Sequence, residues 1–261
     1  MRAVEYLKRV GAGVTSPVLM RAEDGEAYVV KLMRNRLGPK VLANEFLAAE
    51  IGEWLDLCFP PSGIIDVGED VAASRRAKAA RVLPGRHFAS RFLAGAVYVN
   101  AWNIREAENL RQMAGVMLFD HLFFNLDRTW NRKNLLLYRQ GQARRIYAID
   151  HTHLFGRGRW TAEILAKLAD KIVLNWRGAF GWLLGNALAP YDFAPYVARW
   201  QAMTDGQCGE LISRIPEEWL PEAGEREALR QFLIRRRDLA GAAAAKICSL
   251  IPDKHRRAKI H

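Results

Sequence analysis

The chain has 261 residues, half of them apolar and 26% charged, the balance of a folded protein with room for one large domain or two lobes, which excludes a disordered or low-complexity chain. Lysine and arginine exceed aspartate and glutamate by 39 to 28; a net charge of +11 suits an anionic partner, but the basic clusters (75–78, 144–145, 235–237 and 254–259) are dispersed and form no stripe with stacking aromatics, so nucleic acid is a secondary expectation. Cys58, Cys208 and Cys248 are scattered and odd in number, which argues against a disulfide frame or zinc ribbon, and with no bilayer-length apolar run and no signal-peptide core in MRAVEYLKRV the expected setting is cytoplasmic, without a membrane partner.

The start reads as strand, glycine turn, strand. In YLKRVGAGVTSPVLMRAEDGEAYVVKLM, apolar pieces fall at 4–10, 18–21 and 27–33, broken by GAGVTSP and by EDG, a hairpin signal. Behind Gly38-Pro39, the apolar spacing of KVLANEFLAAEIGEWLDL predicts a helix over 40–57. GIIDVGE (63–69) and AARVLPG (79–85) read as two further strands. The expected first unit, residues 1–88, is a small β-rich lobe with one helix. In the second unit, 89–261, the pattern turns helical, with helices predicted over 108–125, roughly 161–188, 192–203, 207–214 and 225–250. Between the first two of these, FNLDRTWNRKNLLLYRQGQARRIYAIDHTHLFG (124–156) reads as loop, strand, turn, strand. The fold class is α+β in two lobes.

Four places in this layout carry chemistry. Gly11 and Gly13 let backbone N–H groups approach phosphate oxygens, and Thr15 and Ser16 can add hydroxyl donors. Alone, this stretch is an ordinary glycine hairpin. Lys31 shares a strand face with Val29 and Met33, where a lysine is costly unless it has a partner or borders a cleft. The following helix offers Glu45 as that partner, with Glu50 as the competitor. In the 124–156 segment an Asp in a loop (Asp127), an amide just before a buried strand (Asn131 or Asn134) and an Asp ending the next strand (Asp150) form a recurrent phosphoryl-transfer layout. The first carboxylate orients or deprotonates the nucleophile; the amide and second carboxylate supply hard oxygens to Mg²⁺. Taken singly, each Asp is a turn or capping residue. A rival reading gives Asp150, His151 and His153 to a transition metal, but the remaining nearby histidine, His121, sits in a helix without a matching carboxylate.

With these residues assembled, the chain resembles the HipA-like kinases, in particular their compact kinase-domain group within the protein-kinase-like fold. GAGVTSPV resembles the phosphate loop, YVVKL the strand lysine, NEFLAAEIGEWL the helix with its glutamate, and PGRHFASRF (84–92) the connection between lobes. FFNLDRTWNRKNLLL resembles the catalytic loop, YAIDHTHLF the metal-binding segment and RIPEEWL (214–220) a late helical motif. The resemblance implies a two-lobed kinase with ATP in the cleft. It makes Lys31 the phosphate contact held by Glu45, Asp127 the catalytic carboxylate, and Asn134 and Asp150 the Mg²⁺ ligands. Val29 and Leu136 would pack on the two sides of adenine.

There are two departures from that pattern. The family's amide follows its catalytic Asp by five residues, whereas here Arg132 holds that place and Asn131 and Asn134 flank it. Asn134 is preferred because it abuts LLLY, which makes Thr129-Trp130 the bulge of a longer loop. Arg128, directly after the Asp, could steady the loop or neutralise phosphate. The expected activity is ATP- and Mg²⁺-dependent transfer to a Ser or Thr of a protein or to a small-molecule hydroxyl. Adenylyl transfer from an inverted ATP, or a nucleotide-binding pseudokinase scaffold, are the alternatives.

Overall fold

The computed structural model describes residues 1–11, 14–156 and 158–253; Gly13 of the glycine turn and the basic cluster at 254–259 lie outside the described residues. The first lobe is built on β1 (Ala3–Arg9), β2 (Val18–Ala22), β3 (Ala27–Lys31), α1 (Lys40–Leu55), β4 (Ser62–Val67), two short helices α2 (Glu69–Ala72) and α3 (Arg75–Ala79), and β5 (Gly85–Arg91). Its five strands pair antiparallel in the order β1-β2-β3-β5-β4. Val18, Met20, Val30 and Ile65 form its core on one face.

AARVLPG is not a strand. Ala77, Ala80 and Val82 bury their side chains in that core from α3 and the turn after it, and Arg81 bends the chain with a φ of 61°. The apolar run therefore packs under the sheet rather than joining it. The strand begins at Gly85, in the segment expected to link the lobes, and β5 carries the sheet three residues past the boundary drawn at residue 88.

The second lobe begins with β6 (Val97–Tyr98), followed by α4 (Met113–Leu122), the one-turn α5 (Asp127–Trp130), β7 (Leu135–Gln140) and β8 (Ala143–Ala148). These strands form a separate sheet in the order β6-β7-β8. Then come α6 (Ala162–Leu168), α7 (Ala179–Asn186), α8 (Ala194–Gln201), α9 (Asp205–Ser213), α10 (Ala223–Asp238) and α11 (Ala240–Cys248). The helix expected over 161–188 is broken between α6 and α7. There Asn175 gives its backbone N–H to His121 Nε2 (3.0 Å) and its side-chain amide to the carbonyl of Leu126, while Gly178 takes a φ of 59°. These long-range bonds override a periodic apolar pattern that would otherwise continue the helix. The helix expected over 225–250 is likewise two, meeting at Leu239.

α1 is buried on most sides, as a helix apolar around its circumference must be. It belongs to the larger core, with α4, α8 and α9, as much as to its own lobe. Polar bonds fasten the lobes around it. Lys40 pairs with Glu225 at 2.6 Å, Glu50 with Arg214 at 2.5 Å, and Arg86 of β5 with Glu218 at 2.6 Å. The RIPEEWL motif supplies two of those partners, and its buried Trp219 donates to the Arg86 carbonyl at 3.3 Å. Glu50 is thus engaged elsewhere, and Glu45 is the residue left to meet Lys31.

Candidate active site

Lys31 ends β3, and α1 brings Glu45 beneath it. The ammonium donates to Glu45 Oε1 at 2.5 Å, Asp150 Oδ1 at 2.7 Å and Thr152 Oγ1 at 2.8 Å, which uses all three of its hydrogens. Glu45 Oε1 also accepts from Thr152 Oγ1 and from the backbone N–H of His151, each at 2.9 Å. Burial works against charge on Lys31, yet the carboxylates of Asp150 and Glu45 beside it outweigh that and raise its pKa. Burial would also raise the two carboxyls, but Lys31 holds both below their usual range. All three groups stay ionised at neutral pH.

Asp150 follows β8 with a φ of 63°, a conformation that costs a non-glycine residue about 1 kcal/mol or more and that Asp and Asn tolerate best. Its side chain remains 37% exposed, unlike those of Lys31 and Glu45. The carboxylate is presented to a cavity of about 390 Å³ between the lobes, which Gly11, Val29, Lys31, Glu45, Leu136 and Asp150 help to line. Val29 and Lys31 share a strand face there, and Leu136 enters from the other sheet. Thr15 and Ser16 do not line it: Thr15 is buried and Ser16 faces outward with a φ of 47°. Among the described residues of the turn, Val10, Gly11 and Pro17 face the cavity, while these two hydroxyls lie away from the place expected for them.

The two asparagines separate cleanly. Asn134, 3% exposed, donates its amide to Asp127 Oδ2 at 2.7 Å. Asn131 instead caps the 3₁₀ turn 132–134 by accepting from the Lys133 N–H at 3.1 Å. The extra residues at Thr129-Trp130 are absorbed as the helical turn α5, closed by the Asn131 N–H on the Asp127 carbonyl. The amide's oxygen is its end not used by Asp127. The Asn134 backbone carbonyl accepts from the Ile149 N–H at 3.0 Å, which ties this asparagine to the residue before Asp150.

Arg128 makes that tie rigid. It donates to Asp120 Oδ2 (2.7 Å), to the Asn134 carbonyl (3.0 Å) and to the Ile149 carbonyl (2.6 Å), with its side chain fully buried. Of the two roles open from the sequence, steadying the loop is the one its contacts serve. Sequence reasoning missed Asp120 as the anchor, although a carboxylate inside the apolar run MAGVMLFDHL signals a buried partner. It also missed Thr152, which bridges Lys31 and Glu45.

Asn134 and Asp150, the expected metal ligands, carry amide and carboxylate oxygens, the chemistry that suits a hard divalent cation. Two of the three histidines weighed for a transition metal, His121 and His151, are placed by other contacts. His121 donates from Nδ1 to the Met117 carbonyl and accepts at Nε2, and His151 packs its ring 4.2 Å from that of Phe59. Burial lowers the His151 pKa, which keeps the ring neutral. Among the described residues, no three or more His, Cys, Asp or Glu side chains converge as a metal site.

Comparison with known proteins gives this geometry a setting. A family model described as HipA-like kinase matches residues 3–169. Among solved structures, the Helicobacter pylori proinflammatory kinase CtkA is 14% identical, with 93% of this chain and 96% of that one covered and a TM-score of 0.58. Hydra Fam20, solved with a sugar, is 11% identical, with 98% and 88% covered and a TM-score of 0.54. At such identities the likeness is one of fold: two kinase lobes, running beyond the family match and through the 214–220 motif. No curated protein sequence matches the chain.

Proposed function

The chain belongs to the HipA-like kinase family, and from that premise we propose that it transfers the terminal phosphoryl group of ATP, with Mg²⁺, to a Ser or Thr hydroxyl of a protein or to a small-molecule alcohol. One observation carries this reading. The ionised Lys31–Glu45–Asp150 cluster lines a cleft large enough for a nucleotide, and Arg128 joins the segment of Asp150 to that of the Asp127–Asn134 pair.

In this reading Val29 and Leu136 hold the adenine between them. The Lys31 ammonium keeps its bond to Glu45 and exchanges its bond to Asp150 for a phosphate oxygen. Asn134 occupies Asp127 Oδ2, which leaves Oδ1 to accept the proton of the attacking hydroxyl and to aim it. Asn134, through its amide oxygen, and Asp150 would hold Mg²⁺, which would supply positive charge to offset that of the phosphates. Gly11 approaches the phosphates by its backbone, with Gly13 as its expected companion. Arg128 keeps the Asp127 loop and the Asp150 segment in register, so the groups need little rearrangement during transfer.

A cytoplasmic setting is part of the same reading. Cys58 and Cys208 are buried thiols, the former with its pKa pushed up to about 12 by burial, and no helix among the described residues is long and apolar enough to cross a membrane. Mass spectrometry of acceptor protein, or of the kinase itself, after incubation with ATP and Mg²⁺ tests the proposal. A phosphoryl adduct is expected. An adenylyl adduct, or tight ATP binding with no adduct on any acceptor, would replace phosphotransfer with one of the alternatives.

A further inference from the structure

The non-helical segment between α6 and α7 is pinned to the turn that carries Asp127. Thr129 Oγ1 donates to Asn175 Oδ1 at 2.7 Å, and Asn175 Nδ2 donates to the Leu126 carbonyl at 3.3 Å. A Cβ at position 178 would stand 2.8 Å from the Thr129 carbonyl, so the approach there requires Gly178. The two residues between these anchors are Trp176 and Arg177. Trp176 is 54% exposed, and the Arg177 guanidinium lies 4.6 Å from the ring centroid of Trp130, itself 64% exposed. Trp130 follows Asp127 by three residues within α5, a spacing that puts both side chains on one side of the turn. An indole and a guanidinium therefore stand beside the carboxylate, on a rim that takes no part in lining the nucleotide cleft.

This rim is built to hold something. None of the ion pairs found among the described residues involves Arg177 or the exposed Lys133 of the same loop. A second cavity, of about 200 Å³, opens between Thr129, Gly178 and the 99–104 turn, at whose tip Trp102 is 86% exposed. Exposed tryptophan with arginine is the composition of a binding hot spot.

We propose that this platform recognises the acceptor, and that it takes an extended protein segment carrying Asp or Glu next to the Ser or Thr; the assignment rests on Asp127 acting in phosphotransfer. The Arg177 guanidinium stands over the Trp130 ring, a cation–π placement that covers one face of the ring and leaves guanidinium N–H donors to grip a carboxylate. The same placement removes one face of Trp130 from use by a nucleobase. Arg177 and Lys133, the two cations described there, are also far short of the phosphate track by which a nucleic acid strand is held.

The test uses fluorescently labelled Ser-containing peptides flanked by Glu, Gln or Lys, with binding read by anisotropy and turnover read separately. The Glu-flanked peptide should bind about tenfold more tightly than the Gln-flanked one, as a charge-assisted contact allows. Arg177→Ala should erase that difference, and Arg177→Glu should turn the preference to the Lys-flanked peptide. In turnover, the loss in Arg177→Ala should fall in the KM for peptide and not in the KM for ATP. Arg177 is exposed, and equal melting temperatures confirm that each variant folds. Equal binding of the three peptides by the unmodified protein, or an Arg177→Glu variant that still prefers Glu, would overturn the proposal. So would single-stranded RNA binding more tightly than the Glu-flanked peptide and being lost in Arg177→Ala. Selective binding of the Glu-flanked peptide without transfer would sustain the platform and contradict the phosphotransfer reading.

Discussion

Asn134 donates its side-chain amide to the Asp127 carboxylate at 2.7 Å across a loop in which the pair are seven residues apart. That bond separates the two asparagines by function. Asn134→Ala should lower phosphotransfer by about 10²–10³, the usual loss when one preorganised polar group is removed from a transfer site. Asn131→Ala removes a cap, which costs about 0.5–2 kcal/mol of stability and should leave turnover within a few-fold. Steady-state rates and denaturant midpoints on the two variants check both halves.

Lys31 and Glu45 are both buried, but they are not equally replaceable. Lys31→Met leaves Glu45 with neutral donors, the His151 N–H, Thr152 Oγ1 and the His151 ring at 3.6 Å, an uncompensated buried charge that should cost about 3–5 kcal/mol. Glu45→Gln leaves Lys31 its bonds to Asp150 and Thr152 and should cost less, about 1.5–3 kcal/mol. Urea unfolding should rank Lys31→Met as the less stable, while both variants lose most of their transfer activity.

Arg128 is predicted to behave as a structural clamp whose loss reaches the chemistry. Arg128→Met would leave the Asp120 carboxylate buried with the Asn125 amide as its remaining side-chain donor at 3.0 Å, a change expected to cost about 3–5 kcal/mol. Arg128→Lys should rescue little, because an ammonium cannot span Asp120 and the carbonyls of Asn134 and Ile149 as a guanidinium does. Melting temperatures measured beside turnover should fall together in both variants.

Acid should destabilise the protein before its carboxylates titrate. Burial lowers the pKa of His87, partly opposed by the Leu83 carbonyl, and lowers that of His121, partly opposed by the Met117 carbonyl. Above the unfolded value of about 6.5 both states are neutral and stability is at its full value. As pH falls below it, the unfolded chain takes up protons that the folded chain refuses, and stability drops by up to about 1.4 kcal/mol per pH unit for each group. Denaturant midpoints should be flat from pH 7 to 8 and decline from pH 6.5 to 5.5.

What the sequence disclosed follows from where the information lies. Lys31 beside Val29 was readable from strand alternation, and Glu45 from its place one turn into a helix. Asn134 was readable from its position against LLLY. Each of these is a local pattern, and the structure brings the residues together. AARVLPG misled because alanine and valine pack equally well from a helix and a turn as from a strand. The break at 169–178 depends on Asn175 finding His121 and Leu126, contacts between residues about 50 apart that no window of sequence contains. The Arg128–Asp120 clamp lay in plain view as charge inside an apolar run, but its partner carbonyls come from two different strands' ends.

The most direct measurement is transfer of radiolabelled terminal phosphate from ATP, in the presence of Mg²⁺, by purified protein and by its Asp127→Asn and Asp150→Asn variants. The unmodified protein should label an acceptor or itself, and each variant should remain folded while losing about 10²-fold or more of the rate. An Asp150→Asn variant that labels as fast as the unmodified protein would contradict the account.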